Sequence, residues 1–590
     1  VTQEERLEAL LARGYLPKEL PPPFTSADFA SKIPAFSPEW TAHEAGLTAQ
    51  QRRNYPPISN YARFDMARKG HSRRMLGVPN PVNQYHLARE ITGHSEEFDE
   101  IAGRSRISLT SAKISGDGRR AVAMPKLSLL SEKRIEAYAT ARAILQTDVL
   151  SFYHAIYTHS VPWALHGKRV AKRNRSTTDP AVYGNRLDAL LRSCQDGQTI
   201  GIPVGPDSSR IISELILCAI EEQVGPLQFS RLAGGYRYMD DFFLCFASHV
   251  DAEAFLAALR EAVLNFGLQL NSSKTHIIDA LSFNEESWPG DIAQLRIGRS
   301  SDEQRRDLMR FFTETIRLSK SLPDESIASF AVRKTSRTVI SRENWALYEP
   351  FLLRIARENS NCLDSVVKLI CTYAAIGYEI SDKVKDFAES MIEEHAPYNH
   401  HYEVAWVLWL CRSLSIRLGE RATQAVARVE NSLCACLVLL LRSRTLLTGR
   451  GPVSDWTGTV DESDLFGEHW MLVYEAGIRK GWSLPGAEAA VNADPHFRVL
   501  RDHGISFFDT TATNVALELP AIDSLLESRL EGRRSATLPG AIRVESSVPR
   551  HQRRYEKLGE DYGGDDTLWP FPGWGGPSFF DDDDDDDLPF

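Results

Sequence analysis

The chain has 590 residues, 43% of them hydrophobic and 25% charged, which is enough apolar mass for two or more folded units and argues against a disordered or fibrous polymer. Lys and Arg number 68 against 79 Asp and Glu, a formal net charge of −11. Eleven of the acids fall in residues 560–590, which hold no Lys or Arg, so residues 1–559 are formally neutral and the total does not exclude a nucleic-acid partner for the body.

The opening VTQEERLEALLARG is charged from its fourth residue, unlike a secretory signal. Up to about Ala123 the chain is Pro-punctuated and basic, with Arg52, Arg53, Arg63, Arg68, Lys69, Arg73, Arg74, Arg104, Arg106, Lys113, Arg119 and Arg120. Within this stretch, ISLTSAKISGDGRRAVAM alternates β-prone residues around Gly116-Asp117-Gly118 and predicts a hairpin. From Leu127 the pattern turns helical, and TDVLSFY at 147–153 reads as a short strand that Asp148 begins. GIPVGPDSSRIISELILCAIEEQV at 201–224 predicts a Gly/Pro loop and then a helix. Asp207 is its expected cap, and Ile211, Ile212, Leu215, Ile216, Ala219 and Ile220 its buried stripe. GYRYMDDFFLCF at 235–246 reads as strand, tight acidic turn, strand. This mixed order predicts an α+β fold built on an antiparallel sheet.

From about Asp302 to Phe508 helix follows helix. Leu363, Val366, Val367, Ile370 and Ala374 recur at helical spacing, and HYEVAWVLWLCRSLSIRL and NSLCACLVLLLRSRTLL are apolar nearly all round. An all-α domain is expected, with a helical-repeat arrangement as its plausible form although no fixed period is found. The longest leucine-rich run, Leu433 to Leu441, falls short of the roughly 20 residues a membrane helix needs. The eight cysteines lie mostly in apolar stretches and never as C-x-x-C, so they suggest neither a zinc knuckle nor a disulfide framework. A cytoplasmic protein without membrane contact is expected. The expected units are an N-terminal region 1–123, a region 124–295 carrying the candidate motifs, an all-α domain 296–533, and a linker with a disordered acidic tail 534–590.

Strand-formers flank Tyr238-Met239-Asp240-Asp241 on both sides, so two carboxylates are expected at a hairpin tip, with Asp148 lying 92 residues before Asp240. Taken alone, YMDD is also readable as an exposed acidic turn. Gathered together, the three carboxylates would form a hard-oxygen pocket suited to Mg²⁺, with Mn²⁺ as the alternative. Two such ions about 3.5–4 Å apart suit nucleotidyl transfer, and without metal the like charges would cost several kcal/mol.

The Y-x-D-D hairpin, Asp148 followed by Phe152 and Tyr153, and the Gly-Pro loop between them resemble motifs C, A and B of reverse transcriptases and follow the family's order A, B, C along the chain. TDVLSFYHAIYTHSVPWALHGK at 147–168, DGQTIGIPVGPDSSRIISE at 196–214 and YRYMDD at 236–241 resemble the bacterial abortive-infection and "unknown group" defence-associated reverse transcriptases, over about residues 70–290. The resemblance implies a right-hand polymerase core of fingers and palm followed by a helical-repeat domain, DNA synthesis from dNTPs on RNA and/or DNA, and antiphage immunity in the bacterial cytoplasm. It makes Asp148, Asp240 and Asp241 the metal ligands and Tyr153, beside Phe152, the aromatic that clashes with a ribose 2′-hydroxyl. Gly201 and Gly205 would let backbone approach the nascent pair. Ile200 departs from the family, which commonly has Gln there.

Lys274 in LQLNSSKTH resembles a motif D lysine, the acid for departing pyrophosphate, although a solvated lysine reads as well. Arg119 and Arg120 are the candidates for triphosphate binding, with Lys133 and Arg134 in reserve. Arg237 would touch primer phosphate or brace its strand. His159 and His166, with Trp163 and Lys168, form a family-like segment in which packed histidines are the favoured reading, shaping the palm or a contact in a homo-oligomer.

The terminal D-D-D-L-P-F resembles the tip of bacterial single-stranded DNA-binding protein. Leu588, Pro589 and Phe590 would then dock on host proteins that bind that protein. A self-inhibitory tail and a solubilising tail are the alternatives. The rival for the whole chain is a polymerase-like scaffold that senses nucleic acid and whose synthesis is incidental.

Overall fold

The computed structural model describes residues 1–68, 72–110, 112–115, 120–125, 127–283, 288–323, 325–449 and 453–512. The tip of the expected 116–118 hairpin, Arg119, the linker, and the acidic tail with Leu588, Pro589 and Phe590 lie outside the described residues. Around that tip, Ile114 and Val122 form an antiparallel bridge and the Ser115 amide donates to the Ala121 carbonyl at 2.8 Å.

A mixed α+β fold emerges, with two small antiparallel sheets among the described residues and helices throughout. Strands β1 (Ala62–Ala67) and β2 (Arg73–Val78) pair as a ribbon, with Ala62, Phe64 and Met66 buried at period two. The basic residues of this stretch hide that alternation, and sequence reading does not predict the ribbon.

The main sheet comprises β3 (Ala143–Asp148), β4 (Leu232–Tyr238), β5 (Asp241–Phe246) and β6 (His276–Asp279), in the order β4-β5-β3-β6 with every neighbour antiparallel. Strands β3 and β5 are central, and all six residues of β5 are buried, as a strand covered on both faces requires. Asp148 ends its strand, which corrects the expectation that it begins one. Beyond the last pairing with β5, Ser151 takes a left-handed φ of +48° and diverts the chain into a one-turn helix, Phe152–Ala155, where a strand to residue 153 is expected.

The helix Asp207–Val224 buries the six predicted residues and packs on the helix His249–Asn265, which in turn covers β3, β5 and β6. Asp207 is not its cap. The N-cap is Pro206, and Asp207 lies in the first turn, where its Oδ2 accepts from the Val122 amide at 3.1 Å and its acid complements the helix dipole. The helix Leu127–Tyr138 packs on β4: Arg134 donates to the Tyr236 hydroxyl at 2.8 Å and lies 5.0 Å over the Phe243 ring.

The described residues from 288 to 512 form helices and their connections, and the predicted apolar segments become the helices Leu363–Ala375, His401–Leu414 and Ser432–Ser443. These helices close back onto the N-terminal segments. Trp40 Nε1 donates to the His496 carbonyl at 3.3 Å, the Thr25 amide to Phe507 at 3.0 Å, Asn80 Nδ2 to Leu465 at 2.7 Å and Trp470 Nε1 to Val78 at 3.1 Å. One apolar cluster runs continuously from Leu7 to Phe508. All eight cysteines are free and buried. No helix among the described residues is long and apolar enough to cross a membrane.

Candidate active site

Tyr238 pairs with Asp241 across the β4–β5 hairpin, leaving Met239 and Asp240 as its two-residue turn. Tight hairpins of this kind need left-handed backbone, and Met239 supplies it at φ +50°, at a cost of about 1–3 kcal/mol in a non-glycine residue. On the neighbouring strand Asp148 stands directly opposite Asp241 in register. The fold therefore brings the three predicted carboxylates to one end of the two central strands.

Lys274 reaches Asp148 from the loop before β6, with Nζ 2.8 Å from Oδ2. The other oxygen, Oδ1, is buried and accepts no hydrogen bond among the described residues. A buried carboxylate oxygen with no donor is costly, and a hard cation is the ligand that such an oxygen suits. Burial first, then the charges of Asp241 and Asp148, push the Asp240 carboxyl up to about 8, against the opposing pull of Arg74.

Because that value lies above the ordinary 3.8, the folded protein holds more protons than the unfolded chain between those values. Stability should therefore fall as pH rises from about 4 to 8, by on the order of 6 kcal/mol. In EDTA, the difference in melting temperature between wild type and Asp240→Asn should widen across this window and level off above it. A difference that stays constant from pH 4 to 8 would show that the carboxylates do not repel one another.

Arg237 holds the turn from beneath and is fully buried. Its Nη1 and Nη2 grip Glu214 at 2.9 and 2.8 Å, Nε grips Glu221 at 2.7 Å, and Nη1 also donates to the Met239 carbonyl at 2.9 Å. Of the two roles expected for Arg237, bracing is the one present, since a side chain with no exposure cannot reach a primer phosphate. Burial alone would raise the Glu214 carboxyl, but Arg237, Thr110 and Ser108 outweigh it and hold the group below its ordinary range. Sequence reading missed this cluster. Its signal is a pair of acids, Glu214 and Glu221, seven residues apart and so on one face of a helix whose middle is apolar.

The carboxylates open into a cavity of about 560 Å³. Nine cationic side chains line it: Arg13, Lys18, Arg68, Arg73, Arg74, Arg120, Arg210, Lys274 and, from the helical region, Lys368. Five acids face them: Glu19, Asp148, Asp207, Asp240 and Asp241. This excess of positive charge matches a polyphosphate. Phe152, Tyr153, Gly205 and Arg120 also lie on the wall, with the Tyr153 hydroxyl accepting from Ser213 Oγ at 3.3 Å. Arg74 and Arg210 are wall residues that sequence reading did not single out for phosphate.

Two expectations are corrected, those for Gly201 and for the reserve phosphate ligands. Gly201 does not line the cavity. Its amide donates to the Ile156 carbonyl at 2.8 Å, and its φ of +83° makes the glycine a requirement of that local packing. Gly205 does line the cavity, but its close approach is to Pro17, whose Cγ would lie 2.7 Å from an added Cβ. The reserve phosphate ligands are engaged elsewhere: Lys133 pairs with Glu136 at 2.8 Å and Arg134 is buried against the sheet.

His159 and His166 are packed, as favoured, with His159 Nδ1 2.7 Å from Asp188 and His166 Nε2 accepting from the Gly184 amide at 3.0 Å. A second group with metal-ligating chemistry, His395, His400 and Glu403, has its ligand atoms within 4.8 Å of one another. There Arg73 holds both Glu403 oxygens, at 2.9 and 2.7 Å, so the carboxylate charge is already met by protein. Asp148 Oδ1 differs in having no such partner. No protein-family model matches the chain, and no curated protein matches it.

Proposed function

We propose that this protein is a Mg²⁺-dependent nucleotidyltransferase polymerising dNTPs, a reverse transcriptase or related DNA polymerase of the bacterial defence-associated class its motifs resemble. The observation carrying this reading is the convergence of Asp148, Asp240 and Asp241, one oxygen of them buried without a donor, at the floor of a cation-lined cavity. On this reading the sheet β3–β6 with its helices is the palm, and the N-terminal region with the β1–β2 ribbon is the fingers. The helical region is a repeat-like domain that completes the nucleic-acid channel. Its place would be cytoplasmic antiphage defence, with RNA and/or DNA and dNTPs as partners.

The three aspartates would hold the metal, and Mg²⁺ bound there supplies a Lewis acid to phosphoryl oxygens and lowers the pKa of the attacking hydroxyl. Arg74, Arg120 and Arg210 bind and orient the triphosphate. Lys274 holds a proton at Nζ, beside Asp148, for the departing pyrophosphate. Tyr153, which lines the cavity, is the side chain that would exclude a ribose 2′-hydroxyl.

Purified protein given labelled dNTPs and Mg²⁺, with and without RNA, should yield labelled polymer, and gel mobility before and after protease shows whether that polymer is attached to protein. Tyr153→Val should accept rNTPs relative to dNTPs at least about tenfold better than wild type. An absence of labelled product under all these conditions would remove the proposal.

A further inference from the structure

Outside the cavity, exposed positive charge concentrates on the short helix Lys168–Arg173, sequence KRVAKR, and the Asn174-Arg175 that follows. Lys168, Arg169, Lys172, Arg173 and Arg175 are all exposed, and none pairs with a carboxylate among the described residues. The Trp163 ring draws two of them together, with Lys168 Nζ 4.3 Å and Lys172 Nζ 5.8 Å from its centroid. Two ammonium groups on one indole repel each other, and a polyanion relieves that repulsion.

This surface leads to the carboxylates. Lys168 Nζ donates to the Asn265 carbonyl at 2.8 Å, and four residues on, Gln269 accepts from the Leu150 amide at 2.8 Å. Leu150 is 45% exposed and lines the catalytic cavity. On the other flank Tyr157 packs 5.7 Å from Trp163 and bridges to Ile200, which is 68% exposed. Val170, 46% exposed, projects from the basic helix itself. Apolar side chains open to solvent between unpaired cations suit unstacked bases with their phosphates; a duplex would offer phosphates alone.

We infer that the surface from Leu150 past Ile200 to the helix Lys168–Arg173 is a binding track for a single strand of nucleic acid on its way to or from the cavity. Its assignment to template or product rests on the polymerase reading. The binding itself does not.

The test uses the full chain in EDTA, with a fluorescent 20-nucleotide single strand of DNA or RNA followed by anisotropy over a series of salt concentrations. Arg169→Glu/Arg173→Glu/Arg175→Glu, which spares Trp163, should weaken binding by about 100-fold at low salt and make the salt slope shallower by about 2. The corresponding triple alanine variant should show the same change of slope and serves if the reversal does not fold. Unchanged affinity and slope in these variants would overturn the track, as would failure of wild type to bind either strand. So would tighter binding at the same residues of a peptide DDDDDDDLPF, which would assign the helix to the chain's own acidic tail. Wild type that incorporates dNTPs while the triple variant binds normally sinks the track alone, whereas track binding without any incorporation sinks the polymerase reading alone.

Discussion

Asp240→Asn is expected to lower dNTP incorporation by about a thousandfold or more, since losing one metal-ligating carboxylate removes several kcal/mol of transition-state stabilisation. The same substitution should raise the melting temperature in EDTA, because it removes the charge that burial, Asp241 and Asp148 all disfavour. Mg²⁺ should stabilise the wild type by about 1–3 kcal/mol at 10–100 times its dissociation constant and should scarcely stabilise the variant. Lower activity with higher metal-free stability is a combination that a merely structural aspartate would not give. Equal stabilisation of both proteins by Mg²⁺ would place the metal elsewhere, and then the His395, His400 and Glu403 group would be the next site to test.

Arg237→Ala should destabilise the fold by about 3–5 kcal/mol in urea melts, because it strands Glu214 and Glu221 in the interior. Lysine should not rescue it, since a single ammonium cannot span two carboxylates and the Met239 carbonyl. Adding Glu214→Gln and Glu221→Gln to the alanine variant should recover part of the loss by removing the unpaired charges. Glu214 also accepts from Ser108 at 2.7 Å and Thr110 at 2.6 Å, and Glu221 from Ser105 at 2.6 Å, so the cluster ties residues 105–110 to the strand that carries the turn. Activity should stay low in the triple variant even where stability returns. A loss below about 1 kcal/mol for Arg237→Ala would mean that the cluster is solvated.

The parts of the site that were legible in the sequence are local ones. Asp240 and Asp241 stand between two runs of strand-formers, and a tight turn there needs only neighbouring residues to be recognised. The stripe from Ile211 to Ile220 follows from helical period alone. Asp148 is recognisable by type, but the bounds of its strand are not. The bounds of β3 are set by pairing with β5 and β6, roughly a hundred residues away, and by the left-handed turn at Ser151. Gly201 shows the complementary error, because a glycine demanded by chain packing and one demanded by a ligand look alike in sequence. The cavity's cations come from the N-terminus, the ribbon, the long helix and the helical region, and no linear pattern relates Arg13 to Lys368.

The closure of the last helices over the first segments also has a consequence for biosynthesis. The Trp40 indole bonds to a carbonyl 456 residues further along, and Phe29 and Tyr15 pack against Phe507. At about 5–20 residues per second, a ribosome needs on the order of half a minute to a minute and a half to deliver those partners. Throughout that interval the emerging N-terminal aromatics can pack on one another but lack the C-terminal side chains that cover them, so a nascent chain of this protein should be a substrate for cellular chaperones until translation is nearly finished.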